Sequence, residues 1–122
     1  MAGPSGDPRD DLLAERARAA ERVDSLRRDL DEIIGASQGS NADDEHDPEG
    51  ATIAFERAQV AALLDQARGR LVAVGEALER WNSGRYGRCT GCGRPIDSAR
   101  LAARPTASTC IGCAPTRAPR PR

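Results

Sequence analysis

Residues 86–113 read YGRCTGCGRPIDSARLAARPTASTCIGC and hold all four cysteines of a 122-residue chain. The cysteines form two C-x-x-C pairs, Cys89 with Cys92 and Cys110 with Cys113, separated by seventeen residues. That spacing fits the four-cysteine zinc pattern, in which two short turns each present two thiolates to one metal. Four soft ligands leave no open coordination position, so the expected metal is one structural Zn2+ rather than a catalytic one. Gly93 after the first pair and Gly112 inside the second mark turns where positive φ or close backbone approach is expected. The alternative is two disulfides or four unrelated thiols. A thiol-redox role would need a thioredoxin-like βαβ setting, and no such pattern surrounds these pairs.

Outward from this stretch the composition is unusual. Apolar residues make up 39% of the chain but aromatics only 2%, with one Phe, one Trp and one Tyr. A thick globular core is not expected. Thin helix-on-helix packing stapled by a metal suits such a chain. No apolar run of eighteen residues exists, and the opening MAGPSGDPRDD lacks the features of a signal peptide. No membrane association and a cytoplasmic location are therefore expected, and thiols stay reduced and available to metal there.

Upstream, Asp7-Pro8 is a helix start, with a capping acid followed by proline at the first helical position. Leu12, Ala19, Val23, Leu26, Leu30 and Ile33 then recur at three- and four-residue spacing, with Arg16 taking one seam position. Gly35 is the expected stop. Asp47-Pro48-Glu49 repeats the start signal. A second seam follows through Ile53, Arg57, Val60, Leu64, Ala67, Leu71, Val74, Leu78 and Trp81, toward a helix end near Asn82. Gly69 and Gly75 lie inside this helix, where close approach of the partner helix would account for them. Two such helices joined by one loop fold back as an antiparallel hairpin rather than pairing between chains, and a monomer is expected.

The expected fold is thus mainly α. A flexible N-terminus (1–6) precedes a coiled-coil hairpin (7–84) with an acidic tip loop (35–47). A C4 zinc module (85–113) and a disordered basic tail (114–122) follow. Net charge is -1, but it is unevenly spread. Residues 35–49 carry Asp43, Asp44, Glu45, Asp47 and Glu49 with no base, whereas residues 85–122 carry eight arginines and one acid. The tip carboxylates could meet basic side chains or a hard cation such as Mg2+. His46 between them reads as a polar loop residue. Arg85, Arg88, Arg94, Arg100 and Arg104 are candidate contacts to a phosphate or to an acidic protein surface. The linker between the pairs lacks the finger helix with two histidines of a DNA-reading module, so sequence-specific DNA binding is not expected.

Three segments carry a family resemblance: Tyr86-Gly87-x-Cys89-x-x-Cys92-Gly93-x-x-Ile96, Arg100-Leu101-x-Ala103-x-Pro105-x-Ala107 and Cys110-Ile111-x-Cys113. With the heptads before them, they resemble the TraR/DksA zinc-finger transcription regulators over about residues 8–113. The resemblance implies a non-enzymatic protein that binds RNA polymerase directly. Its hairpin would enter the secondary channel, and its acidic tip would act near the catalytic centre on initiation. The family tip reads Asp-x-x-Asp-x-Ala. Asp44 and Asp47 supply the aspartates here, but Glu49 stands at the alanine position. Some members act with ppGpp. The short N-terminal segment and Pro115, Pro119 and Pro121, which preclude a C-terminal helix, leave no basic residue assigned to it. The alternatives are a transcript-cleavage-like factor whose tip completes a two-metal site, a zinc-finger nucleic-acid-binding protein and a dimerising adaptor.

Overall fold

The computed structural model describes residues 7–39 and 48–114. Its elements are α1 (Pro8–Gly39), α2 (Pro48–Asn82), α3 (Ser98–Ala103) and a single 3-10 turn at Ile111–Cys113. The described residues form no strand, only one isolated antiparallel bridge between Arg88 and Pro95. None of these helices is long and apolar enough to cross a membrane.

The start of α1 and the end of α2 each have a local cause. The Asp7 carboxylate accepts a hydrogen bond from the Arg9 backbone N–H at 3.0 Å, capping a donor that the first turn leaves unpaired. Pro8 follows at the position where its missing N–H costs nothing. At the C-terminal end of α2, the Arg85 N–H donates to the Arg80 carbonyl at 2.7 Å and the Gly84 N–H to the Trp81 carbonyl at 3.1 Å. Gly84 sits at φ 75°. This is a full Schellman closure, and it needs a residue that accepts the left-handed conformation.

The expected stop of α1 at Gly35 is not used, and the helix continues to Gly39. A lone glycine costs a helix about 1 kcal/mol, which one further turn tolerates. The connection between α1 and α2 is therefore residues 40–47 rather than 35–47. These eight residues lie outside the described part of the chain, as do 1–6 and 115–122.

The chain divides into two compact units, one of residues 16–72 and one combining residues 1–15 with 73–122. The division falls inside the two long helices rather than at the expected boundary of 84/85. In the first unit, Val23, Leu26, Leu64 and Ala67 are buried, with Leu30, Val60 and Leu71 packed against them. The cluster draws members from both α1 and α2, and all are seam positions. The seam arginines Arg16 and Arg57 are exposed. In the second unit, Leu12, Val74, Ala77 and Leu78 are buried, with Leu13 and Tyr86 against them. Leu12 and Val74 are completely enclosed, each contributing about 2 kcal/mol through lost apolar exposure. Trp81 meets Tyr86 edge-on, with ring centroids 5.5 Å apart.

Gly69 and Gly75 do not mark a close helix approach, because a Cβ built on either would meet nothing within 4 Å.

Candidate metal centre

The first cysteine pair sits in a short turn that folds back on itself. The Gly93 N–H donates to the Cys89 carbonyl at 2.9 Å, and the Cys89 N–H donates to the Arg94 carbonyl at 2.8 Å. Gly93 takes φ 77°, so the expectation of a left-handed residue there holds. Inside the turn, the Gly91 and Cys92 N–H groups point at the Cys89 sulfur, at 3.2 and 3.4 Å. Donors aimed at a sulfur stabilise its thiolate form. The second pair is held by the 3-10 turn, where the Cys113 N–H donates to the Cys110 carbonyl at 3.1 Å.

The sulfurs of Cys89, Cys92, Cys110 and Cys113 all lie within 4.8 Å of one another. Those of Cys92 and Cys110 are 3.8 Å apart. A tetrahedron with metal–sulfur bonds of 2.3 Å has edges of about 3.8 Å, so this spacing fits four thiolates around one zinc. It does not fit bonded sulfur pairs, and all four cysteines are free. The electrostatics agree. The Cys110 backbone, ahead of those of Cys92 and Gly91, lowers the Cys89 thiol to about 6 against the opposing effect of burial. Hydrogen bonds with Cys89, Cys110 and Cys92, in that order, push Cys113 up to about 12. Four sulfurs this close hold on to at least one proton until a cation takes its place. These residues would hold one structural zinc, whose role is to fasten the two turns together.

The linker between the pairs is bound into the module through its backbone oxygens. The Tyr86 hydroxyl donates to the Pro105 carbonyl at 2.8 Å, and Arg80 Nη2 to that of Thr106 at 3.3 Å. The Thr90 N–H donates to Ser108 at 2.8 Å, and Arg100 Nε to Thr109 at 2.8 Å. The six-residue α3, which the sequence pattern did not reveal, lies in the middle of the linker and carries neither histidine nor cysteine. Ile96 and Ala107 are buried alongside Cys89.

Not every expected position has the expected part. The close backbone approach is at Gly91, not Gly112. A Cβ on Gly91 would lie 3.2 Å from both Cβ and Sγ of Cys113, whereas one on Gly112 would meet only Cys110 Sγ at 3.9 Å. Arg100 is half-buried and engaged with the linker, whereas Arg85, Arg88, Arg94 and Arg104 are exposed. Asp43, Asp44, Glu45, His46 and Asp47 lie outside the described residues; Glu49 falls in the first turn of α2, with its side chain also outside them. Ile111, between the second pair of ligands, is 71% exposed.

Residues 84–117 match the prokaryotic dksA/traR C4-type zinc finger. The chain is also similar to the solved structure of the transcription factor DksA2 from Pseudomonas aeruginosa. The two share 31% sequence identity at a TM-score of 0.74, over 86% of this chain and 75% of that one. No curated protein matches the sequence.

Proposed function

Since this chain belongs to the DksA/TraR family of C4 zinc-finger proteins, we propose that it regulates transcription by binding RNA polymerase directly, without catalysing a reaction of its own. The observation that carries this reading is the 31% identity to a transcription factor over most of both chains, beside the zinc-finger match at residues 84–117. In the finer reading, the hairpin enters the polymerase's secondary channel as a monomer, and its acidic tip acts near the catalytic centre on initiation. The positions of the acids support this. The chain leaves α1 at Gly39 and enters α2 at Pro48, so Asp43, Asp44, Glu45 and Asp47 all belong to the segment of sequence that joins the two helices. Glu49 follows within the first turn of α2. Polymerase as partner implies a cytoplasmic protein, and Arg94 and Arg104, exposed on the zinc module, are available to its surface.

The test pairs polymerase capture with open-complex lifetime measured in vitro, with and without ppGpp. The Asp44→Asn, Asp47→Asn double variant should lose the effect on open complexes while still being captured. Loss of capture would make the tip an anchor instead of an effector. Failure of the native chain in both assays would end the proposal. Shortened RNA from backtracked complexes would move the assignment to a transcript-cleavage-like factor.

A further inference from the structure

The arginines of the zinc-bearing unit do not form one diffuse basic surface. Arg80 at the end of α2, Arg85 just after its cap and Arg88 just before Cys89 line one pocket of about 180 Å3 with Cys89, Thr90 and Gly93. Arg80 was absent from the sequence candidates because it reads as an ordinary last-turn helix residue. No acid lines this pocket.

Each of the three guanidinium groups is tethered through one nitrogen to a neutral oxygen. Arg80 Nη2 donates to the Thr106 carbonyl at 3.3 Å, Arg85 Nε to Ser83 Oγ at 2.9 Å and Arg88 Nη1 to the Gly93 carbonyl at 3.0 Å. Every guanidinium has five N–H donors, so the tethers fix the side chains and leave most donors unspent. The zinc thiolates, about -2 in total, lie close by, but the donors aimed at Cys89 sulfur are the backbone N–H groups of Gly91 and Cys92. The arginines are therefore not consumed in neutralising the cysteines by direct hydrogen bonding.

The geometry points to a binding site for a phosphate-class anion at Arg80, Arg85 and Arg88. A carboxylate is satisfied by one guanidinium fork, whereas the several oxygens of a phosphate or diphosphate accept from separate directions. The volume is many times what one water needs, which admits a phosphoryl group while the rest of its molecule stays outside. The anion could come from a free diphosphate or from a nucleic-acid backbone. This site goes beyond polymerase docking and is tested without polymerase.

The zinc-loaded full chain is titrated calorimetrically at low salt with pyrophosphate, with acetate as the carboxylate control. Trp81, the chain's one tryptophan, sits next to Arg80 and gives a fluorescence readout. Pyrophosphate should bind and acetate should not. Arg85→Gln and Arg88→Gln should each weaken binding about tenfold, the loss expected for a charge-assisted hydrogen bond. Arg85→Lys, which keeps the charge but not the fork, should fall between. Zinc content and circular dichroism show that each variant is folded. Competition by a nucleoside diphosphate, against competition by a single-stranded oligonucleotide, identifies the source. No heat and no fluorescence change with pyrophosphate would overturn the site, as would equal affinities in native and doubly substituted protein.

Discussion

The helical stripe of residues 16–72 and the zinc module of residues 85–113 are held together in opposite ways. Residues 16–72 rely on a repeating stripe in which Val23, Leu26, Leu64 and Ala67 are buried with Leu30, Val60 and Leu71 around them. Every one of these contacts comes from the same helical period. Beyond the helix ends, the zinc module buries only Cys89, Ile96 and Ala107 among its apolar residues. It is held instead by four clustered sulfurs and by hydrogen bonds onto the linker oxygens at 105, 106, 108 and 109. Stability from a repeat is spread over many small terms, and removing one leaves the others. Stability from a metal is concentrated at one point, and removing it leaves almost no core behind.

The comparison breaks most decisively if the metal is taken away. Structural zinc sites of this kind contribute apparent free energies on the order of 10–16 kcal/mol. Chelation should therefore disorder residues 85–113 while most of the helical circular dichroism survives, as checked by hydrogen exchange with metal quantification. An intact module without metal would refute the assignment. Acid should have the same effect. Cys89 is held below its ordinary value, so its contribution is present above the usual thiol range and is lost as pH falls through about 6. Cys113 is shifted the other way, to about 12, so without a cation its proton is favoured until pH rises through that value. It is the ligand that reclaims a proton first when the zinc loosens. Zinc release should rise as pH falls, and a metal indicator should report it together with the loss of order.

Truncating the stripe should do less. Leu64→Ala removes a side chain that is 3% exposed, at a cost of roughly 2–3 kcal/mol. It should lower the melting temperature of the helices without releasing zinc. Zinc loss in that variant would show that the two units depend on each other more than their separate cores suggest.

The smallest effect sharpens the contrast inside the module. Gly91→Ala would press a methyl against Cys113, itself held by the metal, at a cost of about 1–2 kcal/mol. That corresponds to about tenfold in zinc affinity, read by competition with a chelator. Gly112→Ala, with 3.9 Å to the nearest sulfur, should leave the affinity nearly unchanged.

How much could be read in advance follows the same contrast. Burial at Leu12, Val23, Leu26, Leu64 and Val74 follows from spacing alone, because a helix converts sequence period into a face. The start at Asp7-Pro8 and the end at Asn82 were legible for a similar reason, since capping chemistry is local. The four sulfurs were legible because a metal constrains ligand spacing. Gly35 misled because a glycine stops a helix only when the next residues favour leaving it. Gly91 and Arg80 were hidden because their importance depends on Cys113 and Thr106, residues 22 and 26 positions away in the chain. Buried Ala77 lay outside the seam that the heptads traced.

The linker contacts also bear on how this protein can change over generations. Tyr86, Arg80 and Arg100 grip residues 105, 106 and 109 by their carbonyl oxygens, and the Thr90 N–H does the same at 108. A carbonyl is supplied by any amino acid. The gripped segment can therefore drift at Thr106, Ser108 and Thr109 without losing a hydrogen bond, whereas Tyr86, Arg80 and Arg100, whose side chains do the gripping, cannot. Mutational tolerance at residues 105–109 should be set by the side chains of Arg80, Tyr86 and Arg100.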